Sequence, residues 1–183
     1  TSAERSGLDY DANAVGAGPA LAKLLGQPTT AAAVDRLYHA FFLRYPDAPG
    51  LRYWVGMRGA GVSLNQVAEN FATSQEFKLR YQGTDFGAFL DQLYRDVLGR
   101  APDQAGKDYW LRLLQAGRVN RGTIVANFTE SVEMRARTGI RNELVALQLI
   151  DTGAIPTAAD EARWVEMRRT LPLSEAIAQW LAA

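Results

Sequence analysis

The sequence predicts an all-α fold of stacked helical repeats, two clear copies and a degenerate C-terminal third, forming one compact helical domain. Three observations predict it. A block running from Leu37-Tyr38 to Tyr53-Trp54 returns as Leu93-Tyr94 to Tyr109-Trp110, a constant step of 56 residues. Inside each block the apolar residues stand three and four apart, the period of a helix with one buried face. No alternating run long enough for a strand interrupts them.

Residues 1–28 read as an N-terminal lead-in segment, small, polar and glycine-punctuated over 1–17, with a short helix at Pro19–Leu25 ended by Gly26 and Pro28. Repeat 1 spans 29–83. Thr29 or Thr30 caps a helix carrying Val34, Leu37, Tyr38, Phe41 and Phe42. Pro46 takes the residue before it out of helical geometry, and Asp47 then caps a second helix with Leu51, Trp54 and Val55. Gly61 stops that helix. Ser63 caps a third, whose stripe is Leu64, Val67, Ala68 and Phe71, and Ser74-x-Glu76 starts one more short turn. Repeat 2, at 84–138, says the same with Pro102, Asp103, Trp110, Leu113, Leu114, Gly117, Asn120, Ile124, Val125 and Phe128. After the tryptophan the register lengthens by one residue, so Asn70-Phe71 returns as Asn127-Phe128 and Glu76 as Glu133. At 139–183 Leu147, Gly153, Pro156 and Trp164 trace a faded third repeat, with Ser174 capping a last helix of Ile177, Trp180 and Leu181. Terminal units of a stacked array lack one neighbour and drift accordingly.

Leu-Tyr, then Leu98-Gly99-Arg100-Ala101-Pro102-Asp103-x-x-Gly106, then Tyr109-Trp110, ending in Phe128-x-x-Ser131-x-Glu133, resembles the bacterial domain-of-unknown-function 4214 repeat. A looser likeness links it to the helical linker domains of phycobilisomes. The first copy departs where Leu43 directly precedes Arg44 and where Tyr45 and Pro49 intrude. The resemblance implies an all-helical module of large secreted or surface-attached bacterial proteins, and it transfers no catalytic residue.

Composition narrows the classes. Twenty basic and twenty acidic residues cancel, so general attraction to nucleic acid or anionic lipid is not expected. The chain has no cysteine, which excludes disulfides and thiolate zinc sites. No apolar run approaches the ~20 residues that span a bilayer, so membrane insertion is not expected. His39 is the single histidine, and its counterpart Arg95 marks a solvated helix position more than a catalytic base. Asp9-x-Asp11-x-Asn13 resembles the start of a calcium loop, but Ala14 and Ala20 stand where glycine and glutamate belong. Gly16-Ala17-Gly18-Pro19 lacks the lysine of a phosphate loop. Neither a catalytic centre nor a metal or cofactor is expected.

Binding is the remaining class. Trp54, Trp110 and Trp164 share one repeat position, and their spacing to Leu51 and Leu114 favours a core role over a sugar-stacking platform. Tyr53 and Tyr109 lie about 100° further round the helix, toward solvent or ligand. Arg44 with Asp47 and Arg100 with Asp103 form loop clasps in the structural reading. Asn70 and Asn127 are either buried amides tied to a neighbouring loop or donors to a glycan hydroxyl. Arg135, Arg137, Arg141, Arg163, Arg168 and Arg169, interleaved with acids, make a solvated face. The expected function is a non-catalytic module of a secreted or cell-surface protein that recognises a cell-envelope or other polysaccharide. Its ligand-binding candidates are Tyr53, Tyr109, Trp54, Trp110, Asn70, Asn127, Asp103 and Arg100. The alternative is a protein–protein scaffold, which calls for a flat apolar patch where glycan binding calls for a groove.

Overall fold

A computed structural model describes residues 29–183. The calcium-like triplet, the glycine pair and the short Pro19–Leu25 helix lie outside those residues. Ten α-helices and one π-helical turn, with no strand among the described residues, make up the fold. They are α1 (Thr30–Phe42), α2 (Ala48–Gly59), α3 (Leu64–Thr73), α4 (Gln75–Arg80), α5 (Phe86–Leu93), α6 (Gln104–Gln115), α7 (Arg121–Thr129), α8 (Val132–Asp151), α9 (Ala158–Thr170) and α10 (Leu173–Leu181), with the π turn at Tyr94–Leu98 after α5.

The same local chemistry starts each helix in both copies. Thr29 Oγ1 accepts from the Ala32 N–H at 3.0 Å, so Thr29 and not Thr30 is the cap of α1. Asp47 Oδ1 accepts from Gly50 N and Asp103 Oδ1 from Gly106 N, both at 2.8 Å. Ser63 forms a reciprocal capping box with Gln66, and Asn120 accepts from Thr123 N at 2.8 Å. Each of these bonds satisfies an N–H that a helix start leaves without a partner. Gly61, Gly117 and Gly153 all take positive φ, the left-handed stop that glycine adopts without strain. Two expectations change. The last helix begins at Leu173 behind Pro172, and Ser174 sits inside it with no capping bond. The turn opened by Ser131 does not stop short: α8 runs for 20 residues, because no glycine of positive φ breaks it before Gly153.

Within the described residues the chain divides into two compact units. One comprises 29–35, Pro46–Gly59 and Thr138–Ala183. Its core joins Leu144, Leu147 and Ile150 of α8 to Trp164 of α9 and Ile177 of α10. Trp164 is fully buried and meets Trp180 edge-on, with centroids 5.5 Å apart. Burying a ring that size contributes several kcal/mol, about 3–5 on the scale of truncation to alanine. Asp35 is fully buried in the same unit, held by both guanidinium arms of Arg141 at 3.0 Å and by the Asn142 amide at 2.7 Å. A carboxylate taken out of water needs that many donors.

The other unit comprises Arg36–Tyr45 and Ala60–Arg137. An aromatic chain forms its core, running edge-on from Tyr38 to Phe71 at 4.9 Å, from Phe77 to Tyr81 at 5.0 Å and from Tyr81 to Phe89 at 4.9 Å. Helices α3 and α7, the third helix of each repeat, pack closely on each other. Gly122 makes this approach possible, since a Cβ there would lie 2.7 Å from the Ala72 methyl. α1 and α8 each contribute residues to both units.

Candidate functional site

The recurring Tyr-Trp dipeptides take one pose twice. Tyr53 and Trp54 on α2 meet edge to face at 4.9 Å and 78°, and Tyr109 and Trp110 on α6 at 5.0 Å and 72°. Tyr53 is 57% exposed and Tyr109 50%, whereas both tryptophans are half-buried. The helical turn explains the split: one residue along, the side chain swings about 100° from the packed face toward solvent. Each pair is thus an exposed phenol braced by an indole that packs inward. Trp110 lies 6.1 Å from the ring of Phe128, and the fully buried Trp164 marks the same position in the third repeat.

Around Trp110 the second copy gathers Tyr94, Arg100, Asp103 and Glu133. Arg100 donates through Nε and Nη2 to the two oxygens of Glu133 at 2.7 and 2.8 Å, and through Nη1 to the Ala101 carbonyl at 3.2 Å. The first copy repeats this fork with Arg44 and Glu76 at 3.1 and 3.2 Å, and with the Tyr45 carbonyl at 3.1 Å. The loop clasp is therefore an Arg–Glu fork, with the glutamate drawn from the Ser-x-Glu motif. Asp103 reaches Arg100 only at 3.6 Å, because its carboxylate is engaged in capping α6. The guanidinium also lies over an aromatic ring, Arg100 over Tyr94 at 5.1 Å and Arg44 over Tyr38 at 5.5 Å. The protonation chemistry follows these contacts. The Arg100 hydrogen bond holds Glu133 below the usual carboxylate range. The Gly106 N–H does the same for Asp103, with Arg100 adding to it. Burial pushes the Tyr94 hydroxyl up, and the Asp103 charge pushes it the same way.

Asn70 and Asn127 are not the buried amides of the structural reading. Both are exposed, and each amide donates to a carbonyl of its own helix four residues back, Gln66 O and Thr123 O, at 2.8 Å. They tie no loop. An amide on the solvent side of a helix finds the i−4 carbonyl nearest. His39 is half-buried, less open than its exposed counterpart Arg95. Most of the C-terminal arginines are committed locally: Arg135 pairs with Glu130, Arg141 with Asp35, Arg168 with Glu143 and Arg169 with Glu166, while Arg163 lies over Trp180.

One concavity was not visible in the repeat pattern. An open groove of about 770 Å³ runs between the end of α3, α4 and the start of α7. Phe77, Phe86 and Leu114 supply apolar lining; Glu69, Lys78 and Gln82 supply polar lining. Arg121 shapes it by donating to the Tyr81 and Thr84 carbonyls while lying over Phe89. None of the eight sequence-derived candidates lines it. Its one sequence trace is Gly122, a glycine where the first copy has Asn65.

Comparison with known proteins rests on the same period. The family model described as domain of unknown function (DUF4214) matches residues 12–81 and again 68–138. The chain belongs to the DUF4214 family. The two DUF4214 matches overlap at 68–81, so the second half of α3 and all of α4 fall in both. No curated protein and no solved structure matches the chain. Among the described residues no helix is long and apolar enough to cross a membrane, and no three acidic or histidine side chains cluster as a metal site would require.

Proposed function

We propose that this DUF4214 chain is a non-catalytic binding module that recognises a polysaccharide, held by its parent protein at the bacterial surface or in the medium. One observation carries the reading: a solvent-facing tyrosine braced edge-on by a half-buried tryptophan, in the same pose on α2 and α6. A sugar ring offers an apolar C–H face that stacks on a fixed aromatic ring. A brace that holds the ring in place beforehand reduces the ordering cost of binding. Exposed Arg112 follows Tyr109 three residues later on α6, the spacing that places a group able to bond sugar hydroxyls beside the phenol. Arg100, Asp103, Asn70 and Asn127 serve the fold through the bonds described above, and recognition rests on the tyrosines. A glycan array with Tyr109→Ala and Tyr53→Ala tests this. Retained thermal stability with binding weakened about tenfold per site is the expected result. Unchanged glycan binding in both variants would overturn it.

A further inference from the structure

The two tyrosine platforms differ in the residue one turn further along. Arg112 stands three residues after Tyr109 on α6, and Gly56 holds the same place after Tyr53 on α2. A helical side chain leans toward the N-terminus of its helix, so the arm of Arg112 leans over the turn that carries the phenol. Arg112 is exposed, and among the described residues no hydrogen bond, ion pair or ring holds its guanidinium. By contrast, Glu133 takes Arg100, Asp96 takes Arg80 and the Tyr81 carbonyl takes Arg121. Asp108, one turn before Arg112, is engaged elsewhere and accepts from the Gln104 amide at 2.9 Å.

We propose that the second platform selects acidic sugars, pyranoses bearing a carboxylate such as uronic acids, and that Arg112 is the residue that selects them. The inference rests on the tyrosine-platform reading. A pyranose stacked by its C–H face on Tyr109 projects its ring substituents past the edge of the phenol, within reach of a guanidinium three residues on. A carboxylate there gains a charge-assisted pair that a hydroxymethyl group does not. The first platform lacks this cation. Gly56 has no side chain, and Arg52, beside Tyr53, donates to the Gly153 carbonyl. That platform takes neutral and acidic sugars alike.

Oligosaccharide pairs that differ only in carrying a carboxylate or a hydroxymethyl group are the probe: mannuronate with mannose, galacturonate with galactose, glucuronate with glucose. A cation in the last turn of a helix also suits the helix dipole, so affinity and not stability is the readout. In a Tyr53→Ala protein, which keeps only the second platform, the acidic member is expected to bind about fivefold to tenfold more tightly, by a ratio that shrinks as salt is raised. Adding Arg112→Gln, whose amide still bonds hydroxyls, is expected to bring the two affinities together. In a Tyr109→Ala protein, which keeps only the first platform, the affinities are expected to be equal until Gly56→Arg is added. Nothing lies within 4 Å of a Cβ at that position, so the new side chain fits. Equal affinities in the Tyr53→Ala protein, a preference that survives Arg112→Gln, or no gain from Gly56→Arg would overturn the inference and leave the platforms standing. Binding of no pair, or binding that survives the loss of both tyrosines, would overturn the platform reading and this inference with it.

Discussion

At the scale of the residue, two positions show how little separates the copies. Leu43 and Gly99 occupy the same place at the end of the first helix, and both adopt the left-handed conformation, with φ of 51° and 66°. An L side chain there costs about 1–2 kcal/mol, of which a glycine returns about 0.4–1 through the freedom of its unfolded chain. Leu43 is 40% exposed, so little packing is lost with it. Leu43→Gly is therefore expected to raise stability by up to about 1 kcal/mol in urea unfolding. Gly106 is the opposite case. A Cβ there would lie 2.7 Å from the hydroxyl of Tyr94, a side chain that is 5% exposed and has little room to move. Gly106→Ala is expected to destabilise by about 1–3 kcal/mol despite the better helix propensity of alanine, and a stabilised variant would show that the contact yields.

At the scale of the element, the Arg–Glu forks fasten the loop after the first helix to the start of the helix that follows Ser74 or Ser131. Their pH dependence has a definite sign. The carboxylate of Glu133 titrates lower in the folded protein than its unfolded value of 4.5, chiefly through the Arg100 hydrogen bond. Its contribution is thus present above that value and disappears as pH falls through the lower folded one. Glu133→Gln is expected to cost about 0.2–1 kcal/mol at pH 7, since the pair is largely exposed, and less at pH 2. Chemical unfolding at both pH values checks it; an equal loss at pH 2 would place the effect in packing. The fork also shows where the sequence was legible and where it was not. Arg44 and Arg100 stand out because they recur, but so do Asp47 and Asp103, and the nearer aspartate was the natural partner. Capping took up the aspartates, and the glutamate 32 or 33 residues away could be matched only once the helices were placed.

At the scale of the whole molecule, the two units are closed by different means. An indole and aliphatic side chains fill the unit built on α9 and α10, while a file of edge-on rings fills the other. Trp164→Ala is expected to cost about 3–5 kcal/mol in the first, because no part of that ring reaches solvent. Tyr109→Ala is expected to cost under about 1 kcal/mol, as its ring is half in water. Equal losses in the two variants would mean that tyrosine and tryptophan do not divide into surface and core as their exposures indicate. Thermal and chemical unfolding of the two variants decides the matter.

By itself the sequence determined the periodic part of this protein. Helix starts, glycine stops, apolar stripes and the 56-residue step are local facts, governed by capping bonds, backbone sterics and 3.6-residue periodicity, and each acts over a few neighbours. Only the tertiary structure decided what depends on groups far apart in the chain. Which carboxylate Arg100 takes, that Asn70 and Asn127 turn back on their own helices, and that a groove forms between α3, α4 and α7 are of this kind. Hydrogen-bond competition and burial are settled among all the groups within reach, and a linear pattern does not record which groups those are.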